Sequence, residues 1–288
     1  MRRFFQNLFG LFMILFGISL FTYPMVSTWL IEEETASYVE VFDQDYMPAK
    51  TEEESTVKKE NDPLYEKSAA YNKKIFDKGQ VDFSDPWSCV RLPIHMDSLN
   101  DDRFGYISIP TMDVKLPLYA GASTENMAKG AVILGQTSLP VGGENTNCVI
   151  AGHRGYHGAP FFREIEKLET GDKIYITNPW ETLTYAVESI DIIGPYDSHK
   201  VMIQEGRDMV TLLTCHPYRS RGKQRYVVYC IRDEEGGEPV FAETIDNKET
   251  TQPFVSSEPD IQMENNVRYA SGLIIILMCG FTFLRKRR

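Results

Sequence analysis

Cysteine and histidine are scarce in this chain, with five of each among 288 residues. No two cysteines form a CxxC pair, which argues against a structural zinc site. No internal repeat is visible. Basic residues are also in deficit: 30 Lys and Arg stand against 41 Asp and Glu, a formal charge of −11. A chain of that sign is a poor match for the phosphate backbone, so no nucleic-acid partner is expected. What remains is ordinary globular composition, 42% hydrophobic and 25% charged, which excludes a mainly disordered or collagen-like chain.

The charge is unevenly placed. Arg2, Arg3, Arg285, Lys286, Arg287 and Arg288 lie outside two apolar terminal runs, and without them the chain between carries −17. The first run, Leu8 to Ile31, has no charged residue before its end and is long enough as a helix to span the ~30 Å hydrocarbon layer. A cleaved signal peptide is the competing reading, but Thr22–Tyr23–Pro24 is not a small-x-small cleavage site. The second run, Tyr269 to Leu284, is short for a span but ends on Arg285–Lys286–Arg287–Arg288, a positive-inside signal. A short buried helix is its alternative. Two membrane anchors would leave both termini in the cytoplasm, membrane lipid around the runs, and the acidic middle outside the cell.

Between the runs the texture changes several times. Residues 32–62 are acidic and poor in branched apolar residues, the composition of a tether. Asp62–Pro63 is a helix start, Leu64, Ser68, Tyr71 and Ile75 form one helical stripe, and Gly79 is a stop. From Arg103 to Asp233 come eight short strands: Gly105–Ile109, Val114–Tyr119, Ala131–Leu134, Cys148–Ala151, Lys173–Thr177, Leu183–Ile193, Met209–Thr214 and Arg225–Ile231. Gly, Pro and Asn separate them, which predicts a closed antiparallel barrel or a sandwich. One helix is expected near Phe161–Leu168. Residues 234–268 return to linker-like sequence. The resulting division is 1–7 cytoplasmic, 8–31 anchor, 32–62 tether, 63–102 helix and lid, 103–233 barrel, 234–268 linker, 269–284 anchor and 285–288 cytoplasmic tail.

Among the cysteines, Cys148 and Cys230 sit inside apolar strands as small core residues, and Cys279 lies in the second apolar run. Cys215 differs, because it ends a strand and meets the polar, basic loop 216–224. That placement favours a lowered thiol pKa. A thiol nucleophile needs a proton-transfer partner and an oxyanion donor. His153, in Ala151–Gly152–His153–Arg154–Gly155, follows a strand on a turn that glycines permit. Alone, it reads equally as catalytic or as a satisfied structural histidine. His216 adjoins Cys215, and neighbours at a strand end point apart. Arg219, Arg221 and Arg225 are the candidate cations, and only Arg225 leads directly into an apolar strand.

These residues resemble the sortase family. Thr211–Leu212–Leu213–Thr214–Cys215 is similar to its TLxTC signature, and Arg225 to its arginine. Gly152–His153–Arg154–Gly155 is similar to the histidine turn of the class C, pilin-polymerising branch, and the segments 140–145 and 116–121 also match. Asp85–Pro86–Trp87 resembles the class C lid, in which an aspartate pairs with the arginine and an aromatic covers the sulfur; a surface turn is the plain alternative. The resemblance implies a mainly β, eight-stranded sortase-type barrel with a few short helices, and thioacyl transfer with no metal or organic cofactor. It implies Cys215 as nucleophile, His153 as acid and base, and Arg225 as oxyanion donor. Expected partners are LPXTG-like sorting signals and the acceptor lysine of a pilin subunit. His216–Pro217–Tyr218 departs from the usual Thr-Pro-Tyr, and the loop from Cys215 to Arg225 is one residue longer than usual in the family, which leaves Arg219 and Arg221 as rivals for the arginine role. A housekeeping sortase acting on peptidoglycan precursor and a non-catalytic surface-binding barrel are the rival readings. A Cys89–Cys215 disulfide is a further conceivable element.

Overall fold

The computed structural model describes residues 2–46, 59, 61–81, 83, 103–155, 161–220, 222–235, 256–267 and 269–270. Asp85, Pro86, Trp87, Cys89 and Arg221 lie outside these. A long helix, α1 (Arg2–Tyr46), opens the chain. A second helix, α2 (Pro63–Asp77), precedes eight strands. These are β1 (Arg103–Ile109), β2 (Val114–Ala120), β3 (Ala131–Ile133), β4 (Thr146–Ala151), β5 (Lys173–Thr177), β6 (Thr182–Ile193), β7 (Asp208–His216) and β8 (Gln224–Arg232). A short helix, α3 (Thr124–Lys129), joins β2 to β3, and α4 (259–267) follows the barrel.

The strands close in the order β1-β2-β3-β4-β7-β8-β6-β5. Closure agrees with the sequence-based expectation, but the all-antiparallel pattern does not, because β2 pairs β3 and β4 pairs β7 in parallel. The second of these pairings has consequences for chemistry, since it brings the ends of β4 and β7 out on the same rim. Strands on that side are buried on both faces and so read as continuous apolar runs. Ile133, Ile150, Leu212 and Val228 fill the barrel interior, while their neighbours Val132, Val149, Leu213 and Val227 form an outer cluster with Phe83, Leu134 and Ile193.

Helix α2 starts as the sequence indicates. The Asp62 side chain accepts from the Leu64 N–H at 2.8 Å, Pro63 takes the first turn, and Gly79 has φ +63° beyond the end. Leu64, Ser68, Tyr71 and Asn72 face the barrel. Asn72 brackets the backbone of Leu139, donating at 2.9 Å and accepting at 2.7 Å.

Three segments depart from expectation. Residues 32–46, assigned to a tether, complete α1 and dock on the barrel: Val39 and Phe42 bury against Tyr106, and Tyr106 donates to Asp43 at 2.9 Å. Their apolar residues sit at helical spacing, which average acidity conceals. The helix expected near Phe161–Leu168 is a turn followed by a 3-10 segment, Ile165–Lys167, although Phe161, Ile165 and Leu168 are buried together. Residues 256–267, assigned to a linker, are placed against the barrel. Among the described residues no helix is long and apolar enough to cross a membrane. Residues 8–31 fall within α1, and all but two residues of 269–284 lie outside the described set.

Candidate active site

Strand β7 shows why its sequence has the form Thr-Leu-Leu-Thr-Cys. Leu212 points into the barrel core and Leu213 into the outer cluster. Thr211 donates to the Asn147 side-chain carbonyl at 2.8 Å, and Thr214 donates to the Gly152 carbonyl at 2.7 Å. Both threonines therefore tie β7 to β4 and to the turn that follows it. Alternation then sends Cys215 to the Leu213 side, where it is half-buried.

Strand β8 runs antiparallel to β7, and Arg225 is the register partner of Cys215. Directly opposed residues project to the same face, so the guanidinium and the thiol share one side of the sheet. Their meeting point is Gly222. A Cβ built there would lie 2.5 Å from Arg225 Nη1 and 3.3 Å from Cys215 Sγ, and the backbone has φ +75°. Gly222 is thus needed both for its left-handed backbone and for the room it leaves. Arg225 Nη1 donates to the carbonyls of Gly222 at 2.6 Å and Gln224 at 3.2 Å, which fixes the guanidinium at the strand start.

His153 arrives from the other side of β7. The parallel register sets Ala151 opposite Leu213, and the Gly152 N–H continues the ladder to the Leu213 carbonyl at 3.1 Å. His153 follows in the turn just beyond the ladder, on the rim where β7 ends at Cys215 and His216. Its ring meets Phe161 edge-on at 6.4 Å. A side chain at Gly152 would strike the Phe162 ring at 2.8 Å, so this turn approaches the 161–162 segment as closely as glycine allows. β4, β7 and β8 are adjacent, and they carry His153, Cys215 and Arg225 at one end.

Among the described residues, the two other cysteines are chemically quiet. Cys148, Cys215 and Cys230 are all free thiols. Burial, followed by the charge of Asp208, pushes the Cys148 thiol well up, and burial with Glu188 does the same for Cys230. Both stay protonated in the core. Arg219, a rival for the cation, is instead paired with Glu264 and lies over the Tyr218 ring.

A second group of charges, unforeseen from the sequence, lies on the opposite side of the β4 and β7 ends. Arg154, the residue after His153, has a side chain only 2% exposed. Its guanidinium pairs with Glu166, with Glu258 at 3.0 Å and with His216 Nδ1 at 2.7 Å. His216, the residue after Cys215, points away from it as strand alternation requires. Burial and the Arg154 charge hold the His216 imidazole below its usual pKa, so Nδ1 accepts from Arg154 as a neutral ring. Glu166, His216 and Glu258 bring possible metal-ligand atoms within 4.8 Å of one another, but the cation among them is the guanidinium. Nothing in the sequence around Glu258 signalled this role, because its partners lie about a hundred and more than forty residues upstream.

Comparison with known proteins accords with this geometry. Residues 107–233 match the sortase domain family model. Over 124 residues the chain is 32% identical to sortase A of Bacillus anthracis, covering 43% of this chain and 57% of that relative, so it spans little more than half of that protein. Among solved structures, sortase C1 of GBS pilus island 1 superposes with TM-score 0.59 at 29% identity, covering 71% of this chain and 95% of that one. The pilus-related sortase C of Group B Streptococcus superposes with TM-score 0.53 at 32% identity, covering 66% and 96%. The chain belongs to the sortase family, a family of cysteine transpeptidases.

Proposed function

We propose that this chain is a membrane-anchored class C sortase that joins pilin subunits. Cys215 attacks the Thr–Gly carbonyl of an LPXTG-like sorting signal. Negative charge develops on the carbonyl oxygen, and Arg225 is placed to stabilise it. Collapse of that adduct breaks the peptide bond, and His153 gives its proton to the departing glycine amine. The sorting signal is then held as a thioester on Cys215. A lysine amine from a second pilin subunit enters, His153 takes its proton, and an isopeptide bond replaces the thioester. The acceptor amine and the leaving amine use the same histidine in turn, so no other acid is required.

The observation that carries this reading is the common rim: Cys215 faces Arg225 across β7 and β8, and the parallel β4–β7 pairing sets the turn bearing His153 on that same rim. Likeness to sortase C1 of pilus island 1 and to the pilus-related sortase C favours the polymerising branch over a housekeeping role. In the same reading, residues 8–31 and 269–284 cross the membrane with both termini in the cytoplasm, and the barrel lies outside. Asp85–Pro86–Trp87 would serve as the lid. Phe83, just before it, belongs to the outer cluster with Leu213 and Val227, the same-face neighbours of Cys215 and Arg225. Incubation with a pilin subunit bearing an LPXTG-like signal should give a covalent ladder on a denaturing gel. Absence of the ladder, with release of the cleaved signal peptide, would favour hydrolysis over polymerisation; absence of both would refute the reading.

A further inference from the structure

The two catalytic residues have successors that meet. Arg154 follows His153, His216 follows Cys215, and both enter one buried cluster with Glu166 and Glu258. Glu258 is the member that comes from outside the barrel. One of its carboxylate oxygens is ion-paired with Arg154 Nη1 at 3.0 Å, accepts from the Tyr218 N–H at 3.1 Å, and stands 3.2 Å from His216 Nδ1. That oxygen therefore touches the turn after β4 and the loop after β7 together. Glu166 is held in turn by the same C-terminal segment, through Ser256 Oγ at 2.8 Å and the Ser257 N–H at 3.2 Å. Six residues further on, Glu264 repeats the bridge. It pairs with Arg163 at 3.1 Å, accepts from the Tyr218 hydroxyl at 3.1 Å and pairs with Arg219.

We propose that Glu258 is a positioning residue of the reaction, the C-terminal carboxylate that joins the His153 turn to the Cys215 loop and so sets the separation of the acid–base group from the nucleophile. The physical argument is geometric. Beyond the ladder, which stops at Gly152 and Leu213, the two chain ends are joined by the Thr214–Gly152 hydrogen bond and by the Arg154–His216 contact that Glu258 braces. Beyond that point each catalytic residue is one bond away from a side chain fixed in the cluster. A displacement of about 1 Å between reacting groups can cost about 10²-fold in rate. Charge closes the site as well. Arg154 carries the positive charge and Glu166 and Glu258 the negative, so removing one carboxylate frees the guanidinium to follow the other and shifts the turn that bears His153.

This inference rests on the assignment of Cys215 and His153 made above, and the test separates the two. The full chain and its Glu258→Ala, Glu258→Asp and Glu258→Gln variants would be compared in two assays. One is turnover of a sorting-signal peptide; the other is the pH profile of Cys215 alkylation by iodoacetamide, which needs no substrate. Glu258→Ala should lower kcat by about tenfold or more with KM within about twofold, and should displace the alkylation profile. Glu258→Gln keeps the acceptor oxygen and should retain more activity than Glu258→Asp, whose shorter arm cannot span both loops. Unchanged kcat and an unchanged alkylation profile in Glu258→Ala would overturn the proposal. If Glu258→Ala does not fold, the same two measurements on Glu258→Asp decide it, with a loss of about threefold or more in kcat expected and wild-type behaviour overturning it. A wild-type chain that turns over no sorting peptide would defeat the functional reading, while the alkylation profiles would still judge the role of Glu258.

Discussion

Cys215 and Arg225 are register partners in the β7–β8 ladder, and the guanidinium is anchored by two carbonyls of its own loop. In the proposed reaction, a cation held in this way would stabilise the oxyanion with little reorganisation.

Replacing Arg225 should therefore cost chemistry more than binding. Arg225→Ala is expected to lower the acylation rate by about 10²–10³-fold. Arg225→Lys should fall in the same direction, since it retains charge but loses the planar fork. Arg219→Ala, whose partner is Glu264, should keep a near wild-type acylation rate. Single-turnover kinetics with a sorting-signal peptide measures all three, and a dead Arg219→Ala beside an active Arg225→Ala would reverse the assignment.

Gly222 supplies the space between the two. An alanine methyl group there would press on Arg225 Nη1 and adopt a left-handed backbone at φ +75°. The backbone term costs about 1–2 kcal/mol. We expect Gly222→Ala to remain folded, to alkylate Cys215 readily, and to acylate about tenfold more slowly. Equal acylation rates in variant and wild type would show that the guanidinium has another place to act from.

Strand positions were readable because alternating burial and turn residues leave a local mark; each assigned strand falls within about two residues of the observed one. That Cys215 ends a strand and His153 follows one was readable for the same reason. Partner choice is not local, so the parallel β4–β7 pairing escaped the sequence even though it sets the His153 turn and the Cys215 end of β7 on one rim. Docking of residues 32–46 was hidden because Val39 and Phe42 are diluted by acidic neighbours. Glu258 was hidden more deeply. An acidic, proline-bearing stretch looks like linker until Arg154 is known to lie beneath it.

His216 gives a pH signature. Its folded pKa lies below the unfolded value of about 6.5, because burial and Arg154 disfavour the charged ring. As pH falls below about 6.5, the unfolded chain takes up a proton at this position before the folded chain does. Stability is therefore lost from about pH 6.5 down to the folded pKa, below which this loss stops growing. His216→Asn should flatten that part of the profile. Urea midpoints at about pH 7.5 and 5.0 provide the comparison, and an identical drop in both proteins would contradict the assignment.

The central claim is that Cys215 carries the sorting signal as a thioester. Its most direct test is mass spectrometry of the full chain after brief incubation with an LPXTG-like peptide at limiting acceptor amine, followed by proteolytic mapping. The account predicts a mass increase equal to the peptide fragment ending at its threonine less one water, located on Cys215, absent from Cys215→Ala, and released by hydroxylamine. An acyl group found on Cys148 or Cys230, or an adduct that persists in Cys215→Ala, would contradict it.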